Sequence, residues 1–220
     1  MENSYTIENY LKAIYKLSEK TTDTVTTNDI AAALSTKASS ANDMIRKLAL
    51  KKYLKHEKYR GVQMTDKGNK VALNVIRRHR LWELFLVKTL GFKWNEVHVI
   101  AEQMEHVVSD DLINRLDHFL GYPKFDPHGD PIPDANGKIQ KLPLIPLEEL
   151  KKGQSGTVTA VVDHSDAFLK YLEKHQLNIG CKLKVIDRNE YDNSLNLSIN
   201  KNQTLHVSST VAANLLIKIQ

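Results

Sequence analysis

The 220-residue sequence predicts a mainly α-helical chain with short β-strands in its last third. Three observations predict this class. Apolar residues recur at helical spacing in the first half, prolines and glycines crowd residues 126–146, and short strand-like runs follow. The length exceeds that of one compact domain, so we expect two or three modules.

The first third of the chain predicts three helices. Residues 5–20 carry apolar side chains every three or four positions, which is typical of an amphipathic helix. Thr27 is the predicted N-cap of a short helix over residues 28–34. A tight polar connection then leads to a helix over residues 38–51 whose N-terminal outward face is small and polar. This order indicates a helix-turn-helix.

A basic hairpin follows the three helices. Residues 53–64 alternate in character around Gly61, which predicts two strands and a turn, and Lys58 and Arg60 lie near the tip. Three helices and a basic hairpin predict a winged helix-turn-helix. The alternative is a generic three-helix domain with a solvated hairpin.

Charge along the chain supports a DNA-binding role for this first part. Residues 1–71 hold 13 Lys and Arg against 8 Asp and Glu, a net charge of +5. Residues 72–142 have a net charge of −1 and residues 143–220 of +1. The positive excess therefore lies where a phosphate-binding module would need it, although such an excess is weak evidence alone.

Several classes are disfavoured by composition. No apolar run approaches the roughly 18–20 residues that span a bilayer, and the N-terminus lacks the regions of a signal peptide. Cys181 is the single cysteine, which excludes an internal disulfide and a thiolate-rich zinc site. We therefore expect a cytoplasmic protein without a membrane partner.

The segment over residues 97–110 carries candidate metal ligands. If it is helical, Glu102, Glu105 and His106 fall at i, i+3 and i+4 and share one face, with His98 one turn earlier. Nitrogen and oxygen donors of this kind suit a borderline divalent metal. Together with the basic winged domain, they predict a metal sensor that controls transcription.

Two other classes compete with this interpretation. Clustered carboxylates and histidines also activate water in metalloenzymes, but the sequence has no nucleophile motif and no phosphate-binding glycine loop. A metal-storage protein would leave the helix-turn-helix and the hairpin unexplained. We therefore expect no enzymatic activity.

Short motifs extend over most of the chain. They are YLKAIY at residues 10–15, EKYRG at 57–61, MTDKG at 64–68, RHR at 78–80 and EHVVSD at 105–110. In these motifs the chain resembles the diphtheria toxin repressor (DtxR/MntR) family of metal-dependent regulators. The resemblance implies a homodimeric repressor that binds double-stranded DNA, with manganese or ferrous iron as co-repressor.

The resemblance also implies three domains. They are a winged helix-turn-helix DNA-binding domain at residues 1–71, a helical metal-binding and dimerisation domain at 72–142, and a small β-barrel at 143–220. Strand-like runs over residues 156–162, 183–186, 195–199 and 204–207, with one helix near residues 168–172, are in keeping with the barrel.

The primary metal site implied by the resemblance consists of Asn9, Glu102, Glu105 and His106. Iron-selective relatives tend to have cysteine at the position of Glu102, so this carboxylate favours manganese, with Fe(II) as the alternative. Asn9 departs from both patterns, because iron-selective relatives tend to have methionine at this position and manganese-selective relatives tend to have aspartate. Glu8 is therefore an alternative ligand, and Asn9 could equally be a surface amide.

A second site per subunit is also implied. His79 and Glu83, at i and i+4, form it together with His98. Asp126, His128 and Asp163 are the candidates for its further ligands. Simpler interpretations remain for several of them, because Asp126 and His128 could be turn residues and His79 and Glu83 could be a helix salt pair.

The predicted DNA contacts lie on the recognition helix and the hairpin. They are Lys37, Ser39, Ser40, Asn42, Asp43, Lys47, Lys58 and Arg60. Ser39, Ser40 and Asn42 are expected near phosphates and base edges, and Lys37, Lys58 and Arg60 at the phosphate backbone. Asp43 is either an acceptor for a cytosine amino group or a charge at the helix start. A dimer would present two recognition helices, so we expect an inverted-repeat operator.

Dimerisation and the metal switch are predicted from the middle of the chain. Residues 81–87 and 112–120 are more apolar than one amphipathic face requires, and a partner subunit or a large core could cover them. Metal between Asn9 and the Glu102, Glu105 and His106 group would join the two domains. Without metal, the like charges of Glu102 and Glu105 are expected to disfavour that closure.

Overall fold

The computed structural model describes residues 4–21, 24–57, 61–200 and 203–219. The chain divides into two compact units. The first consists of Met1–His79, Glu102–Asp110 and Pro133–Ile139, and the second of Arg80–Ala101, Asp111–Ile132 and Gln140–Gln220. The domain boundaries predicted after residues 71 and 142 remain predictions.

The first unit contains the predicted three helices and hairpin. The elements are α1 at Ser4–Lys20, α2 at Thr27–Ala33, α3 at Ala38–Leu50, β1 at Leu54–Glu57 and β2 at Gly61–Met64. Their apolar faces form one core in which Leu11, Ile14, Ile30, Ile45 and Leu48 are fully buried. The helical periodicity of the sequence therefore identified the buried faces of these helices correctly.

The start of α2 differs from the prediction by one residue. Thr26, not Thr27, is the N-cap, because its side chain accepts a hydrogen bond from the Asp29 backbone N–H. The Asp29 carboxylate in turn accepts one from the Thr26 backbone N–H at 2.9 Å. This reciprocal capping box satisfies two helix-end donors, and Thr27 has no carboxylate three residues later to do so.

The hairpin after α3 is antiparallel, with Leu54 opposite Met64 and His56 opposite Val62. Val62 also forms a bridge with Val25, which ties the hairpin to the segment before α2. Gly61 adopts a φ of +75°, and a Cβ there would lie 2.8 Å from the Val25 carbonyl oxygen, so this turn requires glycine. Lys58 and Arg60 lie outside the described residues.

Three helices follow, and one of them is shorter than predicted. They are α4 at Asp66–Lys88, α5 at Val97–Met104 and α6 at Asp110–Phe119. The condition that residues 97–110 are helical holds only as far as Met104, where α5 ends, and Glu105 and His106 lie in a turn. The Glu105 carbonyl accepts a hydrogen bond from Arg78 Nε instead of continuing the helical ladder.

The apolar excess of α4 is covered by the chain itself. Leu81, Trp82, Leu84 and Leu86 are all buried within the single chain. On α6, by contrast, Leu112 and Phe119 are exposed. The first apolar stripe therefore belongs to the core, which was the alternative to a partner subunit, and part of the second stripe remains on the surface.

The last third of the chain is a small β-domain. After β3 at Ile145–Pro146 and a short 3-10 turn, it contains β4 at Ser155–Val161, α7 at Asp166–Lys174, β5 at Lys182–Arg188, β6 at Leu195–Ile199, β7 at Gln203–Val207, α8 at Ser209–Ala213 and β8 at Leu215–Ile219. The strands form one antiparallel sheet in the order β3-β8-β4-β5-β6-β7.

This sheet encloses its own apolar core, and it confirms the small β-domain. Alternating residues of β4, β6 and β8 point inward, including Val158, Leu197 and Ile217. The sequence interpretation did not include α8 or β8. No helix among the residues that the structure describes combines the length and apolarity needed to cross a membrane.

Candidate metal centres and nucleic-acid interface

A first cluster of charged side chains lies in the first unit, between α1 and the end of α5. Glu102 belongs to the last turn of α5, and Glu105 and His106 to the turn that follows. Glu105 is fully buried. An ionised carboxylate in such a place needs cationic or hydrogen-bonding partners, and the structure provides several.

Lys12 joins the two carboxylates. Its Nζ lies 2.7 Å from Glu102 Oε1 and 2.6 Å from Glu105 Oε1. The expectation that bare like charges of Glu102 and Glu105 repel each other is therefore incomplete, because an ammonium group lies between them. The sequence interpretation did not single out Lys12, whose position on α1 shows no metal-ligand pattern.

His79 also belongs to this cluster. Its Nδ1 lies 2.6 Å from Glu105 Oε2 and 3.9 Å from Glu102 Oε1. Ligand atoms of His79, Glu102 and Glu105 all lie within 4.8 Å of one another. In the sequence interpretation His79 was assigned to the second site; in the structure it lies beside the carboxylates of the first.

Glu8 orients His106. The Glu8 carboxylate contacts His106 Nδ1 at 2.7 Å through one oxygen and Arg78 at 2.8 Å through the other. Since an ionised carboxylate can only accept, the proton belongs on Nδ1 and the lone pair on Nε2. That Nε2 lies 3.8 Å from Glu105 Oε1, so the free lone pair is turned towards the cluster.

Asn9 contributes a buried oxygen to the same region. Among the described residues, no hydrogen-bond partner reaches its Oδ1. Asn9, Lys12 and Glu102 line one cavity of about 320 Å³. An orphaned buried amide oxygen that shares a cavity with the Glu102 carboxylate fits a bound cation, so these oxygen donors suit a divalent metal. Glu8, by contrast, already has two partners.

A second cluster lies in the second unit. Glu83 on α4 lies 3.3 Å from His98 Nδ1 through Oε1 and 3.7 Å from His128 Nδ1 through Oε2. Ligand atoms of Glu83, Asp126 and His128 lie within 4.8 Å of one another, and all three residues are buried. Glu83, His98, Asp126 and His128, which were all assigned to the second site from the sequence, therefore lie together in this unit.

Backbone contacts position Asp126 and His128. Asp126 Oδ1 accepts hydrogen bonds from the backbone N–H groups of His128 and Asp130, at 2.8 and 2.9 Å. The His128 carbonyl accepts one from Val161 N on β4. His128 Nε2 lies 2.9 Å from the Trp94 carbonyl, which can only accept, so Nε2 carries a proton in either charge state and Nδ1 holds the lone pair only in the neutral ring.

The two remaining polar atoms face Glu83 without hydrogen bonds. Within the described part of the chain, Asp126 Oδ2 and His128 Nδ1 are buried and have no hydrogen-bond partner. Arg80 Nε approaches Asp126 Oδ2 only to 3.8 Å. Such orphaned donor atoms are uncommon in protein interiors, and a carboxylate, an imidazole and Glu83 together again fit a divalent cation.

The pKa values of this cluster are strongly perturbed. Burial raises the pKa of Asp126, and the neighbouring Asp130 and Glu83 charges raise it further. Burial opposes a charge on His128, but the Glu83 and Asp126 carboxylates outweigh it and raise the pKa of His128 to about 9. The Glu83, Asp126 and Asp130 carboxylates therefore repel one another at this site, and a bound cation would relieve that repulsion.

His164, rather than the predicted Asp163, lies beside the second cluster. Asp163 Oδ1 accepts a hydrogen bond from Ser165 N at 2.8 Å, in the turn before α7, and it is not part of the Glu83, Asp126 and His128 group. The ring of His164 instead stacks on His128 with centroids 4.6 Å apart. Burial lowers the pKa of His164.

The outer face of α3 carries the predicted DNA contacts. Its inner positions Ala41, Ile45 and Leu48 are buried. Six of the predicted DNA-contact residues lie in the part of the chain that the structure describes, and all but half-buried Asn42 are exposed. They are Lys37, Ser39, Ser40, Asn42, Asp43 and Lys47. A helix with this surface can enter a major groove.

Three family models match the chain in succession. Residues 3–62 match the N-terminal DNA-binding domain of the iron-dependent repressors, and residues 65–134 match their metal-binding and dimerisation domain. Residues 145–219 match the FeoA domain.

Individual relatives agree with these matches. The iron-dependent repressor IdeR of Mycobacterium leprae is 32% identical over 169 residues, which are 71% of this chain and 70% of that protein. The regulator MntR of Shouchella clausii is 37% identical over 116 residues, 53% of this chain and 80% of that protein. A solved manganese-dependent transcriptional repressor in complex with manganese has a TM-score of 0.88 and 36% identity, covering 97% of this chain and 100% of its own.

Proposed function

Since this chain belongs to the diphtheria toxin repressor family of metal-dependent regulators, we propose that it is a manganese-responsive member. It is a metal-dependent transcriptional repressor with a DNA-binding and a dimerisation domain, and it is not an enzyme. Its action on DNA places it, in this proposal, in the cytoplasm.

The first cluster carries the proposal for manganese. We assign Asn9, Glu102, Glu105 and His106 as ligands, all with oxygen or nitrogen donors. Carboxylate and amide oxygens are hard donors that suit Mn(II), whereas soft thiolate would favour other metals. The buried, unpartnered Asn9 Oδ1 supports Asn9 over Glu8 as the ligand from α1. Glu8 then acts as the residue that orients His106.

The second cluster supports a second metal site. Glu83, His98, Asp126 and His128 are its proposed ligands, since Glu83 contacts both histidines and Asp126 offers a buried oxygen. His79 and Asp163 were also assigned to this site from the sequence, and the contact of His79 with Glu105 supports an additional role of His79 beside the first site. Two sites per subunit remain our proposal.

The proposed metal switch depends on ligands that come from separate segments of the chain. A divalent cation supplies two positive charges that hold oxygen and nitrogen donors together. Asn9 lies on α1, in the DNA-binding domain. Glu102 lies in the last turn of α5, and Glu105 and His106 lie in the turn after it. Metal favours the arrangement in which these segments meet only if it binds that arrangement more tightly than any open one.

DNA recognition is proposed to use two recognition helices of a homodimer on an inverted repeat. Ser39, Ser40, Asn42 and Asp43 lie at the N-terminal part of α3, where side chains reach base edges and phosphates. Lys37 and Lys47 are placed at the phosphate backbone, as are the hairpin residues Lys58 and Arg60.

Retention of genomic DNA tests this function. The full-length protein is incubated with fragmented genomic DNA of its own source, with Mn(II), Fe(II) or excess chelator, and the retained DNA is sequenced. We expect an inverted repeat that is enriched with Mn(II) and absent with chelator. Enrichment with Fe(II) alone would contradict the manganese assignment, equal retention in all conditions would contradict the metal switch, and no enrichment would favour the storage alternative.

Replacing Lys37 with alanine tests the placement on the phosphate backbone. We expect weaker binding to every DNA sequence and a salt dependence whose slope falls by about one, because one released counterion is lost. The measurement is operator affinity as a function of salt concentration. Lys174→Ala, at an exposed lysine of α7, is the matched control. A loss confined to one sequence would contradict the assignment.

A further inference from the structure

Lys12 is the cation that balances the carboxylates of the first cluster. It is 7% exposed and Glu105 is fully buried, and the ammonium contacts Glu102 and Glu105 at 2.7 and 2.6 Å. Lysine is almost never buried so deeply unless it is paired. The ammonium therefore occupies one oxygen of each of the two carboxylates that are proposed as metal ligands.

The charges of the cluster indicate that the Lys12 ammonium and a divalent cation do not occupy it at the same time. Glu8, Glu102 and Glu105 supply three negative charges, and Lys12 and Arg78 supply two positive ones. Counted with neutral imidazoles for His79 and His106, a divalent cation that replaces the ammonium leaves the cluster neutral, whereas one that joins it leaves a net charge of +1. Like charges at such short separation repel strongly in a buried site.

We propose that Lys12 is an internal competitor for the metal. Its ammonium must leave the carboxylate pair before a divalent cation binds there. The inference rests on the proposed metal site and deepens it, because Lys12 then sets the metal concentration at which the repressor responds. Competition of this kind lowers the apparent affinity by the fraction of molecules whose carboxylates are open to metal.

The displaced side chain has space to move into. The cavity of about 320 Å³ beside the cluster is lined by Lys12 itself, Lys16, Ala33 and Leu34, among others. Lysine has a flexible four-carbon stem, so rotation about its side-chain bonds can carry the ammonium away while the stem stays against apolar side chains. Displacement therefore does not require α1 to unfold.

Manganese affinity of Lys12 variants tests the inference. Lys12→Gln keeps a hydrogen-bond donor for the carboxylates without the charge, and Lys12→Met removes both. Mn(II) binding to the full chain is measured by competition with a fluorescent chelator. We expect both variants to bind Mn(II) about tenfold more tightly or better, because the competitor is gone. Their melting temperatures without added metal should fall, and the rise on adding Mn(II) should grow.

Two controls separate competition from general charge effects. Lys16→Met removes the same charge from the same helix and the same cavity lining, and its Mn(II) affinity should stay near that of the wild type. Lys12→Arg keeps a cation and should retain the weaker binding. Unchanged affinity in both Lys12→Gln and Lys12→Met would overturn the inference, and so would an equal gain in Lys16→Met.

Labelling of the wild-type protein provides a test without any variant. An acetylating reagent is applied with and without Mn(II), and modification at each lysine is measured by mass spectrometry. We expect Lys12 to become more reactive with Mn(II) relative to Lys16, and unchanged protection of Lys12 would overturn the inference. Failure of the wild type to bind Mn(II) at all would instead count against the proposed function.

Discussion

Replacing His106 with alanine is expected to abolish manganese-dependent binding to the operator. The substitution removes the Nε2 lone pair that Glu8 holds towards Glu105. Loss of residues that merely orient ligands costs about 10–100-fold in metal affinity, so loss of a ligand should cost at least about 100-fold. Operator affinity is measured by fluorescence anisotropy over a range of Mn(II) concentrations.

The fold should survive this change, because Glu8 keeps its contact with Arg78 and Glu105 keeps Lys12. His118→Ala, at an exposed histidine on α6, is the control and should behave like the wild type. A melting temperature close to that of the wild type would show that the effect is local. Operator binding by His106→Ala with unchanged affinity and unchanged metal dependence would refute the assignment of the first site.

Replacing Gly129 with alanine is expected to damage the second site. Gly129 has a φ of +87°, and a Cβ there would lie 2.1 Å from the Thr159 carbonyl oxygen and 2.6 Å from Ala160 Cα. A left-handed alanine costs about 1–2 kcal/mol, and forced repacking adds about 1–3 kcal/mol. The segment that carries Asp126 and His128 must then shift away from β4.

Gly121→Ala provides the matched control. Gly121 also has a positive φ, +77°, but a Cβ there meets nothing within 4 Å. We expect the midpoint of denaturant unfolding to fall more for Gly129→Ala, and Mn(II) stoichiometry to fall from two ions per subunit to one. Equal midpoints together with a stoichiometry of two in both variants would contradict this role of Gly129.

The two predictions differ in what they test. His106 tests whether the first cluster controls DNA binding, whereas Gly129 tests whether a close backbone approach builds the second cluster. A chain that loses one metal ion in Gly129→Ala and keeps metal-dependent operator binding would indicate that the second site stabilises the fold rather than switches it. Loss of both would indicate that the two sites act together.

Local sequence patterns were sufficient to predict much of the fold and the chemical type of the metal-binding donors. The buried faces of α1, α2 and α3 follow from apolar spacing, because a helix needs one apolar face to join a core. The hairpin follows from alternation around Gly61. Carboxylates and histidines without cysteine predicted hard and borderline donors, and no packing information was needed for that.

The partners of those donors depended on the tertiary structure. Lys12 lies 90 residues from Glu102 and 93 from Glu105, so no local spacing relates them. The same is true of Glu8, which is 98 residues from His106, and of Arg78, which donates a hydrogen bond to the Glu105 carbonyl just after α5. Residue types specify which contacts are favourable, but only packing decides which groups approach closely enough to make them.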